Sequence, residues 1–238
     1  IDIAVIRLPR ISNFTDFSPF ERYGNVSLRY VDSVGDLHQP DMIILPGTKS
    51  TIADLRWLRQ CGLEAAIHKA ADAGTLVFGV CGGYQMLGRT VSDPEQVEAA
   101  GTTEILGMGL LEMDTIFLGE KVQAQTTGVF AGISGVLSDL NGMSYSGYEI
   151  HMGRSEEEMP ALAGTGNVYG SYVHGVFDAS GISDTILKAL CVRKGIDFDA
   201  LETFDVEAYK ERQYDLLADA VRSGLDMEFI YRVLNREV

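Results

Sequence analysis

The 238-residue chain reads as an α/β fold: a mostly parallel central sheet flanked by helices, with an antiparallel extension. Three observations predict it. Two short, continuously apolar runs, "DMIILPG" (41–47) and "TLVFGV" (75–80), each lead into a glycine-containing turn, the profile of parallel strands buried on both faces. Between them, "STIADLRWLRQCGLEAAIHKAADAG" (50–74) repeats apolar residues at helical spacing. Beyond about residue 90 the texture turns to short alternating runs joined by glycine-rich turns.

In chain order, "IDIAVIRL" is a first strand, "SNFTDFSPFER" a polar and aromatic connector, and "NVSLRYV" a second strand with period-two alternation. "DMIILPG" follows as the third. The helical stretch 50–74 is broken by Gly62 into two pieces and ends at Gly74. "TLVFGV" then runs into a helix. "MGLLEMDTIFL", "VQAQTTGVF" and "SGYEIHMGRS" supply the antiparallel extension. "GNVYGSYVHGVFD" adds one more strand and "SGISDTILKALCVRKG" a capped helix. Residues 1–200 are read as one domain, and 201–238, two amphipathic helices, as a C-terminal helical extension of it.

Nineteen basic against 34 acidic residues give a formal net charge of −15, which opposes binding to nucleic acid or to an anionic membrane. No apolar run reaches the roughly 20 residues of a membrane helix, no signal peptide is visible, and the three cysteines are widely spaced without CxxC. A cytoplasmic location without structural zinc or disulfides is expected. The sequence opens on Ile1, not Met, and is read as cut from a longer chain whose upstream partner domain is missing.

The chemistry is expected at "TLVFGVCGGYQMLG" (75–88), where a buried strand, a cysteine, two glycines and a helix follow in order. That order makes a tight strand-to-helix turn whose tip projects at the carboxyl edge of the sheet. Cys81 sits at the tip, the helix N-terminus favours its thiolate, and the Gly82 amide is placed to donate to an oxyanion. Cys61 and Cys191 lie in helical patterns and read as core residues. A thiol nucleophile needs a base. Of the four histidines, His38 and His68 read as surface residues. His174 ends a strand and precedes glycine, so it is favoured over His151 in "GYEIHMGRS".

"GVCGGYQMLG", "YVHGVFD" and "ILPGTKST" together resemble the class I, or triad, glutamine amidotransferases, whose fold is flavodoxin-like. "RLPRISNFTDFSPFE", "LPGTKSTIADLRWLR", "GYEIHMGRS" and "GSYVHGVFD", in that order, are similar to the cobyric acid and cobyrinate diamide synthase branch. The resemblance implies that Cys81 attacks the side-chain amide of L-glutamine to give a thioester, with His174 moving the protons. It implies an oxyanion hole from Gly47 and Gly82, a substrate contact from Gln85, and no metal or cofactor in this domain. Ammonia would pass to an N-terminal synthetase domain that uses ATP and magnesium to amidate a corrin carboxylate. The chain itself carries no P-loop GxxxxGK[ST]. One departure stands out: triad members carry Glu two residues after the histidine, and here that residue is Val176. The imidazole's orienting group is then expected from Glu149 or Asp178. Two other readings keep the same residues: a stand-alone glutaminase feeding a cell-wall precursor ligase, and a non-catalytic docking module.

Overall fold

The structure, a computed structural model, describes residues 1–98, 101, 103–155, 160–179, 181–201 and 206–237. The chain divides into two compact units, residues 1–202 and 203–238.

The first unit is organised on a six-stranded sheet of order β2-β1-β3-β4-β10-β9. Its strands are β1 (Asp2–Ile6), β2 (Ser27–Val31), β3 (Met42–Leu45), β4 (Leu76–Val80), β9 (Ala163–Thr165) and β10 (Val168–Ser171). All neighbours are parallel except the edge pair β9–β10. The apolar runs are continuous because both faces are covered. Ile3, Val5, Ile44, Phe78 and Val80 pack into one core, and Ala4, Ile6, Ile43, Leu45 and Val77 into the other. Alternate residues of each strand thus serve opposite layers. One layer contains α2 (Thr51–Gln60) and α3 (Leu63–Asp72), which pack Leu55, Leu58, Leu63 and Ile67 inward; Gly62, at φ 81°, makes the break between them. The other contains α5 (Ile182–Lys194), whose Ile186, Leu187 and Leu190 are buried. Cys191 is 1% exposed in that core, and Cys61 is partly buried against the first. A short α1 (Val34–Leu37) and the turn helix α4 (Gly82–Leu87) complete the helices of this unit.

Two segments differ from the sequence reading. The connector 12–22 is a 3-10 helix over Phe14–Arg22 whose Phe17 and Phe20 are fully buried against Phe177. The expected antiparallel extension divides. β9 adds to the edge of the parallel sheet, while β5 (Thr90–Ser92), β6 (Glu104–Leu106), β7 (Asp114–Val129) and β8 (Ser144–Ser155) form a second sheet of order β6-β5-β7-β8. That sheet meets the site through an isolated antiparallel bridge between Tyr148 and His174.

The second unit contains α6 (Val206–Gly224) and α7 (Met227–Leu234), the latter capped by the Asp226 carboxylate, which accepts from Phe229 N at 3.0 Å. Among the described residues no helix is long and apolar enough to cross a membrane.

Candidate active site

Parallel strands leave at one edge of the sheet, and the segments after β1, β3, β4 and β10 all open there. They bring Ser12, Thr48, Cys81 and His174 to the wall of one cavity of about 510 Å³, within the size range of small-molecule sites.

Cys81 is the tip of the β4–α4 turn. It holds φ 50° and ψ −109°, a conformation of order 1–3 kcal/mol above an ordinary one for a residue with a Cβ. Its amide donates to Ser171 O at 2.8 Å, so β10 grips the turn from the side. The two following glycines are dictated by space. A Cβ on Gly83 would stand 2.0 Å from Leu45 O, and one on Gly82 2.7 Å from Thr48 Cγ2. The turn therefore lies flat on the end of β3, with Gly82 against the Gly47–Thr48 loop. The residue is 7% exposed, and its sulfur lies 3.6 Å from Ile150 O on β8.

His174 approaches Cys81 from the end of β10, and the two side chains lie close enough to interact. Its Nδ1 stands 2.7 Å from Asp16 Oδ2, and the other Asp16 oxygen accepts from Gly175 N at 3.3 Å. Asp16 is 4% exposed and His174 2%. Burial pushes the imidazole toward its neutral form, but Asp16 and Cys81 outweigh it and raise the His174 pKa to about 9. The Tyr148 ring stacks on the imidazole at 5.3 Å between centroids, and the two backbones exchange hydrogen bonds of 3.1 and 2.8 Å.

The carboxylate on Nδ1 is thus Asp16, not Glu149 or Asp178. Glu149 faces along β8 to His151 Nε2 at 3.3 Å. Asp178 closes the following turn, its amide donating to Gly175 O at 3.0 Å, with its carboxylate beside Gly175. His151 lines the cavity, but its Nδ1 is taken by Gly153 O at 2.6 Å, its Nε2 faces Glu149, and its ring stacks on Tyr172. His38 and His68 do not line the cavity. Asp16 was hidden because its partner lies 158 residues away. The one local signal was an acidic residue inside an otherwise apolar aromatic cluster, "FTDFSPF".

Gly47 borders the site: a Cβ there would lie 3.0 Å from His174 Cε1, and its carbonyl accepts from Ser12 N at 2.8 Å. Gln85, one turn into α4, is 2% exposed on the cavity wall. Its Oε1 accepts from Thr51 Oγ1 at 3.0 Å, while its Nε2 has no partner among the described residues. Glu98, which the sequence reading passed over, caps α2 from across the cavity: its two oxygens accept from Thr51 N at 2.6 Å and Ile52 N at 2.8 Å. Burial raises its pKa above the usual carboxylate value against the pull of those amides.

Underneath, Asp54 of α2, fully buried, ties the loops together. It accepts from Arg10 N at 3.1 Å, Arg10 Nη1 at 2.9 Å and the Thr48 hydroxyl.

A buried cysteine beside an imidazole, with a carboxylate behind it, is equipped for nucleophilic attack on an acyl carbon with proton transfer to the leaving group. The chain is 51% identical over 263 residues to a cobyric acid synthase of Lachnoclostridium phytofermentans, covering all of this chain and 51% of that one. It is 46% identical over 257 residues to the cobyric acid synthase of Ruminiclostridium cellulolyticum, again covering all of this chain and 50% of the relative. It spans about half the length of these curated relatives. Among solved structures, one described as a glutamine amidotransferase superposes with a TM-score of 0.57 at 16% identity, covering 80% of this chain and 98% of that one. PurLQS from Thermotoga maritima gives 0.55 at 20% identity, covering 79% and 98%. Both likenesses are of fold. The sequence match is to the CobB/CobQ-like glutamine amidotransferase domain over residues 2–182, and the chain belongs to that family.

Proposed function

We propose that the chain hydrolyses L-glutamine through a thioester on Cys81 and delivers the ammonia to an ATP-dependent synthetase that amidates corrin side-chain carboxylates. The observation that carries the first half is His174 beside Cys81 on one cavity wall, its Nδ1 held by Asp16 at 2.7 Å.

The Cys81 thiolate adds to the carboxamide carbon of glutamine, and the C=O pair moves onto oxygen. The amides of Gly82 and Gly47 are the donors assigned to that oxyanion; losing one such donor typically costs about a hundred- to a thousandfold. His174, held by Asp16 through Nδ1, gives its Nε2 proton to the departing nitrogen. The C–N bond breaks, ammonia leaves, and a γ-glutamyl thioester remains. The neutral imidazole then takes a proton from water, whose oxygen attacks the thioester. The C–S bond breaks and glutamate departs, with thiolate and imidazolium restored. Gln85, on the cavity wall, is assigned to hold the substrate.

The acceptor rests on the relatives, named cobyric acid synthases and about twice as long as this chain. The reaction they suggest turns adenosylcobyrinic acid a,c-diamide into cobyric acid, with this chain as the glutaminase half and a synthetase domain as its partner. ATP and magnesium belong to that other half. Among the described residues no three His, Cys, Asp or Glu converge to hold a metal, and no step here is routed through one.

Glutamate release by the chain, compared with Cys81→Ala, tests the reading. Loss of release in the variant, with a glutamine-mimicking electrophile such as 6-diazo-5-oxo-L-norleucine mapped to Cys81, supports it. Equal release by both proteins overturns it. Amidation of a corrin substrate by the full-length protein tests the acceptor.

A further inference from the structure

Tyr148 touches the catalytic pair without lining the cavity. It lies on β8, the last strand of the second sheet. That strand reaches both members of the pair. The Tyr148 ring stacks on the His174 imidazole, centroids 5.3 Å apart and planes 26° from parallel. Two residues on, the Ile150 carbonyl lies 3.6 Å from Cys81 Sγ.

The approach is built into the backbone. Tyr148 N donates to His174 O at 3.1 Å, and His174 N donates to Tyr148 O at 2.8 Å. Gly147 makes room for this bridge: a Cβ there would stand 2.1 Å from His174 O and 2.6 Å from Val173 Cγ1. Any side chain at that position would force β8 away from the end of β10. The hydroxyl end of Tyr148 is held as well. Asn13 Nδ2 donates to Tyr148 Oη at 3.2 Å, and Asn13 O accepts from Asp16 N at 3.0 Å. Asn13, at φ 53° and ψ 41°, opens the 3-10 segment that carries Asp16, and asparagine tolerates that left-handed conformation. The contacts therefore close a ring. Asp16 holds His174 Nδ1, His174 carries the Tyr148 ring, the Tyr148 hydroxyl meets Asn13, and Asn13 returns to Asp16.

What the phenol supplies follows from what the carboxylate cannot. One hydrogen bond at Nδ1 fixes one atom of the imidazole and leaves the ring able to rock about that bond. Gly47 limits the motion at Cε1, where an added Cβ would stand 3.0 Å away. A flat ring laid against the imidazole fixes its plane, and its negative face attracts the imidazolium.

We infer that Tyr148 is a positioning residue for His174: stacked on the imidazole and clasped by Asn13, it sets the plane that aims Nε2 at Cys81 and the leaving nitrogen, and afterwards at water. The inference rests on the glutaminase reading above. It gives the second sheet a part in the reaction through a side chain outside the substrate cavity.

The experiment measures kcat and KM for glutamate release from L-glutamine by wild type, Tyr148→Phe, Tyr148→Leu, Asn13→Gly and the double variant Asn13→Gly with Tyr148→Phe. Each is assayed at a temperature where it is folded by circular dichroism. Tyr148→Leu removes the ring, and misaiming the imidazole is expected to lower kcat roughly 10- to 100-fold. KM should stay at the wild-type value, because the residue does not line the cavity. Tyr148→Phe keeps the stack and loses only the hydroxyl bond, so its kcat should fall by about two- to tenfold. Asn13→Gly accepts the left-handed backbone and removes the other end of the same bond. The double variant should then be no slower than the slower single variant, since both changes remove one bond. A folded Tyr148→Leu with the kcat of wild type or of Tyr148→Phe overturns the inference. So does a change confined to KM. If Tyr148→Leu does not fold, the cycle decides: losses that multiply in the double variant, or no loss in either single variant, overturn the inference, and shared losses support it. These failures leave the glutaminase reading intact when wild type releases glutamate. Absence of both glutamate release and Cys81 labelling by 6-diazo-5-oxo-L-norleucine in wild type removes that reading and the inference with it.

Discussion

His174 Nδ1 and Asp16 Oδ2 stand 2.7 Å apart, joining residues separated by 158 positions in the chain, and both are almost fully buried. The pairing supplies what Val176 cannot: an anion behind the imidazole, delivered from the first crossover instead of from two residues downstream. Burial favours neutral His174, and Asp16 with Cys81 reverses that to a pKa of about 9. The imidazolium that protonates departing ammonia is thus present below about pH 9 and lost above it. Asp16→Asn keeps the shape and removes the charge. We expect the alkaline limb of kcat/KM to move down by more than one pH unit, and the rate at neutral pH to fall by about a hundredfold or more. A pH–rate profile with an unmoved limb would assign the anion's role elsewhere.

The same pair links stability to pH. His174 has a folded pKa above its ordinary 6.5, so its contribution is complete below about pH 6.5 and is lost as pH rises through about 9. The stability gap between wild type and Asp16→Asn, followed by urea denaturation, should therefore narrow between pH 6 and pH 10. A gap that widens over that range contradicts the pairing.

Cys81 holds its positive φ at a cost that the surrounding turn imposes. Cys81→Gly relieves the strain, and the entropy that glycine adds to the unfolded chain offsets part of the gain. The variant is expected to be about 1 kcal/mol more stable than wild type while losing glutamate release. Thermal denaturation alongside the glutaminase assay checks both. A variant less stable than wild type would mean that the thiol's contacts outweigh its backbone strain.

Gly83 has the opposite sign. A methyl group there would meet Leu45 O at 2.0 Å, Leu45 C at 2.5 Å and Pro46 O at 2.8 Å, all of them backbone. Gly83→Ala must lift α4 off the end of β3, costing on the order of 3 kcal/mol, and it displaces Cys81 from His174. Slower labelling of Cys81 by iodoacetamide, together with a lowered denaturation midpoint, is the expected pair of results.

How much of this was legible depends on whether a residue's partners are local. β3 and β4 showed themselves because burial on both faces leaves a continuous apolar run. Gly62 showed its break, and the Cys81 turn its crowded backbone, because glycine at such places has a steric cause within a few residues. Cys81, His174, Gly47, Gly82 and Gln85 do converge on one sheet edge or cavity wall. Asp16 and Glu98 gave no comparable sign. Asp16 lies on a 3-10 segment whose buried face its phenylalanines mark but whose acid is explained only by His174 far along the chain, and Glu98 in a turn whose meaning comes only from α2 across the cavity. The division of the antiparallel strands was hidden for the same reason: β7 and β8 read as strands, but which sheet they join is decided by partners distant in sequence.

Asp54 offers the test of how firmly the site's loops depend on what lies beneath them. Its carboxylate is fully buried and holds Arg10 from the loop after β1 and Thr48 from the loop after β3. Those loops lead to Asp16 and carry Gly47. Because the Arg10 side chain is half exposed, solvent screens the ion pair, and most of the effect of Asp54→Ala comes from the Arg10 amide left unsatisfied and from the space the carboxylate leaves, since the Thr48 hydroxyl keeps Arg10 O as an acceptor at 3.1 Å. We expect a loss of about 2–4 kcal/mol. Asp54→Asn retains an acceptor and should cost roughly half as much. The functional consequence separates positioning from simple instability. At a temperature where Asp54→Asn remains fully folded by circular dichroism, its kcat for glutamine should still fall, because Gly47 and Asp16 are released together. A folded Asp54→Asn with wild-type kcat would show that the loops keep their geometry without this anchor.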